Sequence, residues 1–146
     1  MHMQQPKTPF ELFHVECEDG WKSLIQPIFD YIENYNKDKN DDKKIIVHQV
    51  KEKFGSLRFY TNFYTEELLE MIRNAEQESF HVCEFCGSKE NVGHTCGWIT
   101  TLCKDCAKKL AQKRDRQILW MDSNSIKVYF MPDGSEKEIK NEVDSK

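Results

Sequence analysis

The sequence predicts an α+β fold in which a helix–β-hairpin–helix layer is followed by a cysteine-rich segment and a C-terminal β-hairpin. Three observations predict it: an apolar stripe at helical spacing, two β-rich runs around Lys51–Gly55, and two pairs of closely spaced cysteines. The chain has 146 residues, which suits one modest domain. We divide it into residues 1–80, 81–120 and 121–146, and we expect these segments to pack as one compact unit.

The first predicted element is an amphipathic helix that Asp19 is expected to cap. Pro27 falls inside it and should bend the helix or move its start, because proline has no N–H to donate. We expect the apolar face to pack against a sheet. The apolar positions follow one another at intervals of one and three residues, which places them on one face: Trp21, Leu24, Ile25, Ile28, Phe29, Ile32 and Tyr35.

A β-hairpin and a second helix complete the predicted N-terminal layer. Residues 45–63, IIVHQVKEKFGSLRFYTNF, are typical of two antiparallel strands with Gly55 at the turn or at a bulge. In the second strand Leu57, Phe59 and Thr61 share one face, because successive side chains alternate. Thr65 is then expected to cap a helix that runs through about Phe80.

Five of the six cysteines lie between residues 83 and 106. Cys83 and Cys86 form one C-x2-C pair, and Cys103 and Cys106 form another, with sixteen residues between the two pairs. Two residues between thiols allow a tight turn to point both sulfurs at one ion, and two such turns complete a tetrahedron. The spacing therefore predicts one structural Zn²⁺ per chain, with no ligand position left open for water. Disulfides, a redox C-x-x-C motif and another metal, including an iron–sulfur cluster, are the weaker alternatives.

The second cysteine pair leads into the sequence AKKLAQKRDRQILW, which we expect to continue as a helix over residues 107–120. A cysteine turn, a hairpin and a second cysteine turn that opens a helix resemble the treble-clef class of zinc fingers, over residues 83–117. The last segment, residues 125–140, alternates apolar residues around Pro132-Asp133-Gly134. This pattern predicts a closing β-hairpin.

A second metal site is a further hypothesis. Cys96 lies two residues from His94, and Cys17 lies three residues from His14. These four residues would pin the N-terminus to the finger if they met around one ion. The alternative is that the two cysteines are buried free thiols and that the histidines are hydrogen-bonded, which is commoner in proteins.

Positive charge is concentrated in the predicted finger, although the whole chain has a formal net charge of −4. Residues 81–120 carry seven Lys or Arg against four Asp or Glu. Most of these cations lie on the predicted finger helix, where Lys109, Lys113 and Arg116 should share one face by their spacing. A basic helix beside a zinc finger is a candidate for contact with a phosphate backbone, and a solvated helix face is the alternative. The candidate nucleic-acid contacts are Lys104, Lys108, Lys109, Lys113, Arg114 and Arg116.

A zinc-scaffolded nuclease or hydrolase is the enzymatic alternative. It would require His48, Arg58, His94 and Asp105 to converge in a cleft. The helix after Cys106 contains neither His nor Asn, which the nucleases built on this frame use as a metal ligand. We therefore identify no catalytic residues and no small-molecule substrate.

Four stretches together, DGWKSLI, VHQVKEKFGSLRFY, CEFCG and CGWITTLCKDC, resemble a family of bacterial and phage proteins. The resemblance spans residues 19–106. It implies a bacterial, phage or mobile-element origin. An immunity or counter-defence factor that acts by binding a protein is one interpretation that rests on this context.

The start of the chain, MHMQQPKTPF, lacks the apolar stretch of a secretory signal, and no run approaches the roughly 20 apolar residues of a spanning helix. We therefore expect a cytoplasmic protein with no membrane partner. The function that these patterns favour is a non-enzymatic, zinc-stabilised binding module. Its partner is a nucleic acid or another protein, and the sequence does not distinguish them.

Overall fold

The computed structural model describes residues 13–139 and has the predicted α+β fold, with two separate sheets. A 3₁₀ turn at Asp19–Trp21 precedes the first helix. The three helices are α1 (Lys22–Asn36), α2 (Glu66–Ser79) and α3 (Lys104–Arg114). The seven strands are β1 (Val47–Lys53), β2 (Ser56–Thr61), β3 (Val92–Thr95), β4 (Thr101–Cys103), β5 (Ile118–Met121), β6 (Lys127–Phe130) and β7 (Glu136–Ile139). None of the described helices combines the length and the apolar character needed to cross a membrane.

The predicted N-terminal hairpin is present as strands β1 and β2, which pair antiparallel and form the smaller sheet. Phe54 and Gly55 connect them, and both have positive φ, 53° and 84°. Two consecutive residues of positive φ make the tight turn whose twist matches that of the flanking strands. Leu57, Phe59 and Thr61 are buried, as the alternation predicted.

Helix α1 begins differently from the prediction. Asp19 does not cap it, because the chain enters through the 3₁₀ turn and the residue at the cap position, Trp21, makes no side-chain cap hydrogen bond. Trp21 is instead fully buried, so its packing fixes the start of the helix. Pro27 lies in the second turn of α1, and the helix continues through it to Asn36.

Helix α2 confirms the predicted cap: the Thr65 side chain accepts a hydrogen bond from the Leu68 N–H at 3.1 Å. The outer edge of β2 is covered by the same helix. Ser79 Oγ accepts from the Leu57 N–H at 2.9 Å, and a Glu76 carboxylate oxygen accepts from the Phe59 N–H at 3.1 Å. Side chains of α2 thus replace the missing neighbouring strand.

We call the apolar interior of this layer the N-terminal core. It contains thirteen buried apolar residues, from α1, α2, the hairpin and the segment after α2. They are Trp21, Ile25, Ile28, Phe29, Ile32, Ile45, Val50, Leu57, Phe59, Leu68, Ile72, Ala75 and Val82.

The other five strands form one antiparallel sheet in the order β4-β3-β5-β6-β7. The predicted C-terminal hairpin is therefore the outer part of this sheet, as strands β6 and β7. Helix α3 covers one face and encloses what we call the finger core. Its ten buried residues are Cys83, Leu102, Cys103, Ala107, Leu110, Ala111, Ile118, Trp120, Val128 and Phe130.

The predicted helix over residues 107–120 is wrong over its last six residues. Helix α3 ends at Arg114, because Asp115 takes a left-handed conformation with φ 50°. Ile118–Met121 then pairs with β3 and β6 as a strand. Trp120 is buried there, with its indole N–H donating to the Leu102 carbonyl at 2.9 Å. Sheet pairing and this hydrogen bond outweigh the helical periodicity of the segment.

Candidate metal centre

The first cysteine pair lies on a tight turn directly after the N-terminal core. The Cys83 carbonyl accepts from the Gly87 N–H at 2.9 Å, and the Cys83 N–H donates to the Ser88 carbonyl at 2.8 Å. Gly87 has φ 81°, a conformation in which glycine is strongly favoured. The turn therefore brings Cys83 and Cys86 to the same side of the chain.

The second cysteine pair begins α3. Cys103 is the residue at the N-cap, and its sulfur accepts a hydrogen bond from the Cys106 N–H at 3.4 Å. Both sulfurs thus lie at the positive end of the helix dipole, which stabilises thiolate charge. Strand β4 fixes Cys103 opposite Val92 of β3, so the hairpin positions this pair relative to the first.

The four sulfurs converge. Those of Cys83, Cys86, Cys103 and Cys106 all lie within 4.8 Å of one another, and Cys86 Sγ is 3.6 Å from Cys103 Sγ. A tetrahedron with metal–sulfur bonds of about 2.3 Å has edges of about 3.8 Å, so the group can hold a single metal ion. The thiols are not joined as disulfides.

Burial raises the pKa of the Cys103 and Cys106 thiols above the ordinary value. Burial also acts to raise the pKa of Cys86, but hydrogen bonds from the Ser88 backbone and from the neighbouring thiols outweigh it and lower that pKa. A metal ion that binds here must displace protons from the thiols, so its affinity should increase with pH.

The first cysteine turn also contacts the start of α1. The Gly20 N–H donates to the Glu84 carbonyl at 2.7 Å, and the Trp21 indole N–H donates to the Val82 carbonyl at 2.8 Å. A Cβ on Gly20 would collide with the carbonyls of Cys83 and Glu84. We call Cys83, Cys86, Cys103 and Cys106 the metal group. It is attached to the N-terminal core through this direct backbone contact.

Glu84 is a residue of this site that sequence reasoning missed. It lies between the two cysteines of the first pair, it is buried, and one carboxylate oxygen accepts from the Glu18 N–H at 3.1 Å. Burial raises the pKa of its carboxyl to about 7, against the opposing influence of that hydrogen bond. Nothing in the local sequence distinguishes it from an exposed glutamate between two knuckle cysteines.

Among residues 13–139, the four finger cysteines are the one group of three or more His, Cys, Asp or Glu ligand atoms gathered this closely. His14 is exposed and Cys17 half-buried on the segment beside β1, where Glu16 bridges to Lys51. His94 lies on β3 against Phe80, and Cys96 follows β3. The structure does not gather these four residues in the same way, so the second metal site stays a prediction.

Residues of the enzymatic alternative lie on separate elements. His48 is exposed on β1, and Arg58 lies half-buried on β2. Asp105 is exposed in the first turn of α3 and lines a groove beside Cys106, whereas His94 lines a different cavity with Phe80 and Met121. None of the three with metal-ligating side chains joins a group of ligand atoms within 4.8 Å in the described part of the chain.

The candidate nucleic-acid contacts do not form one face. Lys104 pairs with Glu136 at 3.4 Å, and Lys109 lines the groove that also contains Asp105. Arg114 and Arg116 line another groove. Because α3 ends at Arg114, the predicted alignment of Arg116 with the helix face is wrong.

Two glycine–tryptophan pairs were visible in the sequence and have different roles. Gly20-Trp21 is buried, whereas Gly97-Trp98 is exposed at the tip between β3 and β4. Local sequence does not distinguish the two pairs.

Comparison of the chain with protein-family models, with curated proteins and with solved structures gives no match.

Proposed function

We propose that the protein is a non-enzymatic binding module whose finger is held by one structural Zn²⁺. The observation that supports this proposal is the convergence of four cysteine sulfurs from two separate turns within 4.8 Å. Zinc is the metal that best suits four thiolates in a tetrahedral arrangement.

The path of the chain through the finger supports a treble-clef-like finger. Cys83 and Cys86 lie on a turn, strands β3 and β4 form the hairpin, and Cys103 and Cys106 open α3. In this arrangement the metal ties the hairpin to the helix, so folding of the finger and binding of the ion are coupled.

The donor set favours a structural ion over a catalytic one. Four protein thiolates complete the coordination of zinc and leave no position for water or substrate. The ion then supplies local stability, and function depends on the surfaces that the finger presents. These surfaces include basic side chains and exposed aromatic rings, which suit a macromolecular partner.

Native mass spectrometry of the purified chain tests this proposal. We expect one zinc ion per chain, lost on chelation and absent from Cys103→Ser. Cys96→Ser is the matched control, because Cys96 lies in the same finger outside the group of four, and it should retain the ion. An unmetallated wild-type chain would overturn the proposal. Two ions per chain, with one lost in Cys96→Ser, would establish the second site instead.

The partner class follows from a separate measurement. A nucleic-acid partner should bind with an affinity that falls steeply as salt rises, because phosphate contacts release counterions. Zinc-loaded protein that binds no nucleic acid would leave a protein partner, including one that fits an immunity or counter-defence role.

A further inference from the structure

One groove lies between the tip of the β3–β4 hairpin and the C-terminal end of α3, with a volume of about 210 Å³. Trp98, Arg114, Arg116 and Gln117 line it, and we call it the Trp98 groove. No acidic side chain of the described chain lines it. The groove therefore combines an aromatic ring with two positive charges.

Hydrogen bonds fix the backbone of the hairpin tip that presents Trp98. Thr95 Oγ1 accepts from the Thr100 N–H at 2.9 Å and donates to the Trp98 carbonyl, while the Thr95 N–H donates to the Thr100 carbonyl at 2.9 Å. Gly97 supplies the positive φ, 87°, that the tip requires. Trp98 is consequently 83% exposed on an ordered turn. The fixed backbone lowers the cost of presenting the ring to a ligand.

The two arginines meet at the groove because α3 stops between them. Asp115 takes the left-handed conformation, and the Arg116 N–H donates back to the Ala111 carbonyl at 3.2 Å. Neither guanidinium forms an ion pair within the described residues 13–139. Lys104, in contrast, is already paired with Glu136. The positive charge beside Trp98 is therefore available to a ligand.

We propose that the Trp98 groove binds single-stranded nucleic acid, with one base stacked on the Trp98 indole and the adjacent phosphates held by Arg114 and Arg116. Stacking on an exposed aromatic ring needs an unstacked base, which a single strand offers and a duplex does not. This assignment rests on the proposed function, because the metal would fix both the hairpin and α3.

A peptide without acidic side chains is less well matched to this groove. An apolar side chain could cover Trp98, but it would leave both guanidinium groups without partners and partly desolvated. A phosphodiester strand satisfies the ring and the two charges together, since its bases and phosphates alternate along the chain.

Tryptophan fluorescence provides a direct test, because Trp98 is the exposed one of the chain's three tryptophans, with Trp21 and Trp120 at 0% and 2% exposure. Full-length zinc-loaded protein is titrated with oligo(dT) and oligo(rU) of about ten nucleotides, and with a duplex of the same length. We expect both single strands to quench the fluorescence and the duplex to bind more weakly.

Variants separate stacking from charge, and their affinities are measured by the fluorescence anisotropy of a labelled oligonucleotide, because Trp98→Ala and Trp98→Phe remove the intrinsic reporter. Trp98→Ala should weaken single-strand binding about 5- to 150-fold, and Trp98→Phe should recover part of it. Arg114→Glu should weaken binding and reduce the slope of log affinity against log salt by at least about 0.7. Lys113→Glu is the matched control, since it makes the same charge change on an exposed residue of α3 outside the groove, and its loss should be smaller.

Zinc content is measured on every variant, so that failure of the finger is distinguished from failure of the groove. Zinc-loaded wild type that no single strand quenches would overturn the groove proposal while leaving the metal proposal intact. Binding that Trp98→Ala leaves unchanged, or that favours the duplex, would overturn it too. A preference for oligo(dT) or for oligo(rU) would assign the ligand as DNA or RNA.

Discussion

The N-terminal core and the finger core differ in what they offer for stability. The N-terminal core has thirteen buried apolar residues, all but one of them large. The finger core has ten, of which two are alanines and two are cysteines of the metal group. Burying a large apolar side chain stabilises a fold by roughly 1.5–3 kcal/mol, so we expect the first core to fold without help and the second to depend on the proposed ion.

This difference makes the contacts between the two regions informative. Trp21, Gly20 and Glu18 contact the first cysteine turn, and the Gly55 carbonyl accepts a hydrogen bond from Thr101 of β4. The segments that carry the metal group are thus hydrogen-bonded to the N-terminal layer, although that layer contributes no cysteine to the group. Removing the metal or substituting residues in either region tests how tightly these contacts couple the two regions.

Metal removal should have the largest effect. Binding energies for four-ligand zinc sites are about 10–16 kcal/mol, which matches or exceeds the whole stability of most domains. After chelation we expect the amides of β3, β4 and α3 to lose protection from hydrogen exchange, while those of α1 and α2 keep most of theirs. Hydrogen exchange with mass spectrometry measures both at once. Equal loss of protection across the chain would show that the N-terminal core does not fold alone.

Gly20→Ala should come next, with a loss of about 3 kcal/mol or more in unfolding free energy. A methyl group at Gly20 collides with the backbone carbonyls of Cys83 and Glu84, which cannot rotate away as a side chain can. Urea unfolding of the zinc-loaded protein measures the loss. The matched control is Gly97→Ala, where a methyl group meets open space and the cost is only the positive φ, about 1 kcal/mol.

If Gly20→Ala were no more destabilising than Gly97→Ala, the close contact between α1 and the first cysteine turn would not be important for stability. If it also lowered zinc affinity, the N-terminal layer would be shown to support the metal group directly.

Two tryptophans allow a matched comparison of the cores. Trp21 donates to the Val82 carbonyl in one core, and Trp120 donates to the Leu102 carbonyl in the other. Trp→Phe at either position removes this buried hydrogen bond, which costs about 0.5–1.5 kcal/mol in addition to the lost packing. We expect Trp120→Phe to lower zinc affinity more than Trp21→Phe does, because Trp120 packs in the finger core that contains Cys83 and Cys103, whereas Trp21 packs in the N-terminal core. A competition titration with a chelator measures this, and equal effects would contradict the division into two cores.

The sequence predicted best where the deciding interactions are local. The Phe54-Gly55 turn, the Thr65 cap and the two C-x2-C turns each depend on residues within a few positions of one another, and all four are present. The metal group was predictable for the same reason: ligand spacing is a local property of two turns.

The predictions that failed concern segments whose structure is determined by residues distant in the sequence. Ile118-Leu119-Trp120 is compatible with a helix or a strand, and pairing with β3 makes it a strand. The proposed role of Trp98 could not be predicted, because Trp98 and Arg116 come together only through that pairing and the end of α3. Asp19 is a residue type that commonly caps helices, but burial of Trp21 determines how the chain enters α1.

Ionisation of the Cys17 thiol should have the smallest effect on stability at neutral pH, and its alkylation rate provides a probe of the N-terminal core. Burial, followed by the nearby charge of Glu84, raises the pKa of its thiol to about 12. In the folded protein the pKa of Cys17 lies above the value near 9 of an ordinary thiol. The contribution of Cys17 to the free energy of unfolding is therefore fully present below pH 9 and is lost as pH rises toward 12. At pH 8 we expect alkylation of Cys17 to be slower than that of an exposed thiol by a factor on the order of 10³.

Alkylation after chelation then compares the two regions in one experiment, read by peptide mass mapping. The finger cysteines should react once the ion is removed, whereas Cys17 should remain slow, because its protection depends on packing against the N-terminal core. The reaction of urea-unfolded protein provides the fully exposed control. If Cys17 reacted as fast as Cys86 after chelation, then the ion would support both cores, and the contacts at Gly20 would transmit its effect across the whole molecule.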